Sequence, residues 1–156
     1  MPAAPATLYR AYGSKEGLVA AALDRRHREW LAVWDAAVAQ APDDRARLLA
    51  VFDALGTFQQ RPGRARWCAF LGTAAEYADP PPLLAAAVHR ETDSLRHRLA
   101  ELAAPLVGAR SPELAEALAL LVSGQLAMRL RGDGPAGAGL ARAIAETLVD
   151  RPDRVC

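Results

Sequence analysis

The chain is short of almost everything that would announce chemistry directly. It carries a single lysine, Lys15, and its basic and acidic residues nearly cancel, leaving a formal net charge of +1. No global basic field is there to attract nucleic acid, so any such affinity has to be local. The two cysteines, Cys68 and Cys156, have neither metal-ligand spacing nor the density of a disulfide framework. That usage fits a reducing cytosol. No uninterrupted apolar run is long enough to span a membrane. The start lacks a charged region followed by an apolar stretch, so no signal peptide is expected. Strand-like alternation does not recur, and no glycine-rich loop follows a strand. Ser14 and Ser111 read as helix caps and Cys68 has no evident base, so no enzyme is expected.

What is present is the composition of a helical core. Of 156 residues, 52% are hydrophobic, enough for one domain with a buried interior rather than a disordered chain. Alanine and leucine dominate over valine and isoleucine, which favours an all-α fold. Periodicity and punctuation divide the chain into seven helices. A short one lies around Thr7 to Tyr12. A long one runs from about Ser14 to Gln40, with Val19, Leu23, Trp30, Trp34 and Val38 as its apolar stripe. A third covers about Asp44 to Gln60 and a fourth Arg66 to about Ala78. Prolines at 80–82 stop that helix and pre-set a fifth, about Pro82 to Val107, with Leu84, Val88, Leu95, Leu99 and Leu102 as its seam. Ser111 and Pro112 read as the cap and first residue of a sixth, which extends to about Arg131. The last covers about Ala136 to Asp150.

The sixth helix is apolar on two faces. Leu114, Leu118, Leu121 and Gln125 mark one, and Leu120, Gly124 and Ala127 the other. The last helix sets Leu140, Ile144 and Leu148 against small residues. Two terminal helices that need cover on two sides predict a homodimer through Leu120, Gly124, Ala127, Leu140 and Ile144, paired as a four-helix bundle. A deep monomer core is the alternative reading.

The richest stretch is Thr7-Leu8-Tyr9-Arg10-Ala11-Tyr12-Gly13-Ser14-Lys15-Glu16-Gly17-Leu18: a short helix, a glycine stop, and a capped new helix. Thr7, Leu8, Tyr9, Tyr12, Ser14, Lys15 and Leu18 match the pattern that ends the helix-turn-helix of TetR-type (tetracycline-repressor-like) transcription regulators. Trp67 to Tyr77, the Asp-Pro break and the Ser-Pro-Glu-Leu-Ala run resemble an effector domain of that family more loosely. The resemblance implies an all-α bundle of the effector-binding and dimerisation type, with residues 1–16 a remnant of the DNA-binding head and 17–156 the effector and dimerisation domain. It implies a ligand-responsive regulator, a repressor in the cytoplasm. Thr7, Tyr9, Arg10 and Lys15 would be its DNA contacts, through hydroxyls to phosphate, an arginine fork to guanine and a lysine to phosphate. Ala11 departs from the pattern, where a histidine is frequent. About thirty to forty residues of the head would lie upstream, so operator DNA is an expected partner only with those helices present. The alternative is a dimeric ligand- or protein-binding module that no longer binds DNA.

The expected effector is a small apolar molecule. Trp30, Trp34, Phe52, Trp67, Phe70 and Tyr77 fall on inward faces of consecutive helices. Thr73, Thr92 and Gln125 could orient a ligand, and ligand sites between helices are apolar with a few such groups. Plain core is the alternative for the aromatic set. His27 lies in the stripe of the long helix that joins head to effector domain, where a polar group could couple the two. His89, Asp93 and His97 are spaced four residues apart, as a metal would want. They flank or oppose the leucine seam, so a solvated face is the expectation, and no metal or cofactor is predicted.

Overall fold

The computed structural model describes residues 12–61, 68–131 and 139–151, and every regular element among them is helical. Helix α1 is Lys15–Gln40, opened by Ser14 in an extended conformation whose hydroxyl accepts from the Gly17 amide at 3.0 Å. Helix α2 is Asp44–Gln59, capped by Asp43, which accepts from the Ala46 amide at 2.7 Å. Each cap satisfies an amide that the first turn leaves without an internal acceptor. Helix α3 is Ala69–Glu76, and α4 is Pro82–Val107. Pro82 sits at the start of α4, where its missing N–H costs nothing. Helix α5 is Ser111–Arg131 and α6 is Gly139–Asp150.

Two boundaries differ from the sequence expectation. Ser111 is not an extended cap: it has helical dihedrals (φ −59°, ψ −34°), because a 3₁₀ turn at Gly108–Arg110 feeds straight into α5. The break falls instead at Gly108, whose φ of +57° suits glycine. Tyr77 lies just past α3 with extended dihedrals rather than inside a helix. All of the expected first helix but Tyr12, together with residues 62–67 and 136–138, lies outside the described residues.

Helix α4 is the hub, in contact with α1, α2, α3 and α5, while α6 covers α2 and α5. The main core gathers around Trp34, which is fully buried. Its ring lies 5.6 Å from that of Trp30, which in turn meets Phe58 edge-on at 5.6 Å. Leu48 and Phe52 of α2, Leu95 and Leu99 of α4 and Leu118 of α5 complete the centre. Arg98 stacks over Trp34 at 4.8 Å and pairs with Asp35. A second, smaller cluster joins Leu23 of α1, Phe70 of α3, and Leu84 and Ala87 of α4. Between the two clusters the buried stripe of α4 stops at Ala87 and resumes at Leu95, and position 91 between them is a glutamate.

Ion pairs pin the helices at the rim. Arg90 to Asp24 (2.7 Å) ties α4 to α1, Arg45 to Asp150 (2.8 Å) ties α2 to α6, and Arg142 reaches Asp53 (2.7 Å) from α6. Such exposed pairs add little stability each but disfavour other registers.

Trp34→Ala removes the largest fully buried side chain and should cost ~3–5 kcal/mol in urea denaturation. Leu83→Ala, at a position 55% exposed, should stay within about 0.5 kcal/mol of the parent.

Candidate functional site

Where the core divides, α3, α4 and α5 line a cavity of about 150 Å³ that opens to the surface. Helix α4 contributes Val88, Glu91, Thr92 and Leu95, three and four residues apart and therefore on one face. Phe70 and Leu71 of α3 close one side, and Val122 and Leu126 of α5 the other. Cys68, just before α3, also lines it, and burial pushes its thiol above the usual range. That makes Cys68 a neutral wall rather than a nucleophile.

The polar groups of the cavity differ in how they are satisfied. The Thr92 hydroxyl donates to the Val88 carbonyl of its own helix at 3.0 Å. Arg96 at the mouth grips both oxygens of Glu116 at 2.6 and 2.9 Å, a fork that clamps α4 to α5. Glu91 is half-buried, and among the described residues no cation or donor pairs with it. Burial pushes its carboxyl up to about 7. A wider groove of about 510 Å³ lies between α1, α2 and α6, but its walls are largely alanines and its Arg142 and Asp53 pair with each other.

The expected ligand residues fall into separate places. Phe70 and Thr92 line the cavity. Trp30, Trp34 and Phe52 fill the main core instead, packed on one another and on Leu48 and Leu99. His27 meets Phe70 edge-on at 6.2 Å, with its Nδ1 buried without a partner and its pKa lowered by burial. Tyr77 packs on the smaller cluster. The Thr73 hydroxyl donates to the Ala69 carbonyl at 2.8 Å. Gln125 is half-buried on α5, between cavity residues Val122 and Leu126 in sequence. Trp67 lies outside the described residues. Sequence reasoning missed Glu91. Its signal was the spacing: Ala87, Glu91 and Leu95 are four residues apart, on the line of the buried stripe.

The two-sided character of the last helices is visible in their exposure. Leu114 and Leu118 are buried, while Leu120 is 65% and Met128 63% exposed, and Gly124 is exposed beside them. Ala127 is half-buried. On α6 the small residues Ala141 and Ala145, with Val149, face the core, and Leu140 (69%) and Ile144 (43%) face outward. Leu120 belongs to both features, since it also lines the cavity.

At the other end, Lys15 is exposed on the first turn of α1. Gly13 takes φ +73°, and the Tyr12 carbonyl comes so close to Gly17 that an added Cβ would lie 2.2 Å from its oxygen. Two glycines thus fix how the preceding segment meets α1. Thr7, Tyr9 and Arg10 lie outside the described residues. No group of three metal-ligating side chains occurs among the described residues, and His97 lies 3.3 Å from Glu101 on an exposed face. No described helix is long and apolar enough to cross a membrane.

No family model and no curated protein matches the chain. Among solved structures, a TetR-family transcriptional regulator from Streptomyces coelicolor is similar over 94% of this chain and 75% of its own, with a TM-score of 0.76 and 27% identity. The all-helical fold of the described residues, the glycine stop before a capped α1 and this similarity support a TetR-like transcriptional regulator.

The Glu91 carboxyl makes a pH prediction. Near and below its ordinary value of 4.5 it is protonated in folded and unfolded chains alike. As the pH rises toward about 7 the folded chain retains the proton that the unfolded chain loses, so the stability it confers drains away over that window. Glu91→Gln should therefore match the parent near about pH 4 and exceed it by ~2 kcal/mol near about pH 8, read by urea denaturation.

Proposed function

We propose that the chain is the effector-binding and dimerisation part of a ligand-responsive, DNA-binding repressor that works as a cytoplasmic homodimer and has no catalytic role. Residues 1–16 then belong to the DNA head, with Thr7, Tyr9, Arg10 and Lys15 toward the operator, and residues 17–156 take ligand and partner. The observation that carries this reading is the position of Leu120, which lines the cavity and stands on the exposed apolar face of α5. A ligand seated between α4 and α5 has differential contacts with any state that changes their packing, which is what a shift of equilibrium requires. Helix α4 also packs on α1. The 26 residues of α1 span about 39 Å, enough to carry a small rotation at the core to Lys15. Ligand binding and operator binding would then be reciprocally coupled.

Leu140, Ile144, Leu120 and Met128 together form an apolar face that a second copy of the chain covers in a two-fold pairing of α5 and α6. The test combines sedimentation with selection from a random duplex library. The parent chain should be a dimer, and once the helices that complete the head are joined to it, that dimer should enrich an inverted repeat, one half-site per head. Leu140→Glu with Ile144→Arg should give a folded monomer that enriches nothing, since neither residue is in the core. A monomeric parent would overturn the dimer. A dimer that enriches no sequence even with the head completed would replace the repressor by a dimeric module that takes ligand or protein alone.

A further inference from the structure

We propose that the cavity between α3, α4 and α5 takes a small organic cation, an amine carried on an apolar ring or short chain, with its ammonium group on the Glu91 carboxylate. The inference rests on the reading of this cavity as the effector site and names the class of effector.

Glu91 stands at the one place where the buried stripe of α4 is interrupted, and it lines the cavity there. Around it are Phe70, Val88, Leu95 and Val122, which offer nothing to a charge. The guanidinium at the mouth, Arg96, is already committed to Glu116 through both of its hydrogen bonds. Thr92 has given its proton to the Val88 carbonyl. Among the described residues, Glu91, Glu116 and Arg96 therefore leave the cavity one negative charge in excess once Glu91 ionises. The other titratable group on the wall, Cys68, is kept neutral by burial.

A half-buried carboxylate with no counter-ion among the described residues is a standing cost, and an ammonium ion relieves it. The ligand would supply two or three N–H donors to oxygens that have none, through short charge-assisted bonds. Burial raises the Glu91 carboxyl to about 7, so an arriving cation also draws it into its ionised form. Anions meet two carboxylates and are excluded by like charge. A volume near 150 Å³ matches a single aromatic ring, since an engineered apolar cavity of about that size binds benzene. The ring would sit against Phe70 and Leu95, and its amine would reach Glu91.

The test is isothermal titration of the whole chain with three probes of one shape: benzylamine, benzyl alcohol and benzoate, near about pH 8 where Glu91 is ionised. Benzylamine should bind at least about tenfold more tightly than benzyl alcohol, and benzoate should not bind. Glu91→Gln should remove the preference for the amine while leaving the alcohol unchanged. A parent that binds the alcohol or benzoate as well as the amine would overturn the cation class and leave the cavity a ligand site. A preference for the amine that survives Glu91→Gln would remove Glu91 as its partner. A parent that binds none of the three would overturn both the cation and the cavity as an effector site.

Discussion

Helix α4 touches α1, α2, α3 and α5, and its buried stripe would run unbroken through Ala87, position 91, Leu95, Leu99 and Ala103 if position 91 were apolar. A glutamate stands there instead. A carboxylate cannot share a dry seam with leucines without a partner, because its charged form loses its hydration. The core consequently divides into a large cluster around Trp34 and a small one around Phe70. The cavity occupies the gap. Filling the gap with an apolar side chain would join the clusters, stiffen α3 against α4, and remove the one unmatched charge that the described residues place in the cavity.

The arrangement places low local stability where movement is useful. Helix α3 has eight residues and packs chiefly on α4, so it is the natural element to yield when something enters beside it. Helix α5, by contrast, is held to α4 by Leu114, Leu118 and Val122 and by the Arg96–Glu116 fork. Under the proposed function, a displacement at the cavity would pass to the exposed face of α5 at Leu120 and, through α4, to α1. The Arg90–Asp24 and Arg98–Asp35 pairs tie α1 to α4 along its length.

Much of this was legible in the sequence, for identifiable reasons. The bounds of α1 and α2 follow from Ser14 and Asp43, and those of α4 from its prolines, because caps and prolines act locally. The outward face of α5 and α6 was legible from Leu120, Leu140 and Ile144, whose phase conflicts with that of Leu114 and Leu118. The cavity was not. Trp30, Trp34, Phe52 and Phe70 all lie on the inward faces of their helices, and an inward face says which way side chains point but not whether the space between helices is filled. That depends on how far apart the helices sit, which packing decides. Glu91 escaped for a related reason: a charge on a helix is normally read as solvated surface, and only its register with Ala87 and Leu95 places it in the seam. Ser111 misled because a 3₁₀ turn before it supplies the entry that a cap would otherwise provide.

The proposed function requires the cavity and the subunit arrangement to be mechanically joined through α4 and α5. The direct measurement is the distance between spin labels at Lys15→Cys on the two subunits of a dimer in which Cys68 and Cys156 are replaced by alanine. The account predicts a defined distance across the dimer that shifts when benzylamine saturates the chain and stays put when Glu91 is glutamine. A distance that is unchanged by bound benzylamine, or the lack of any distance across two subunits, would contradict it.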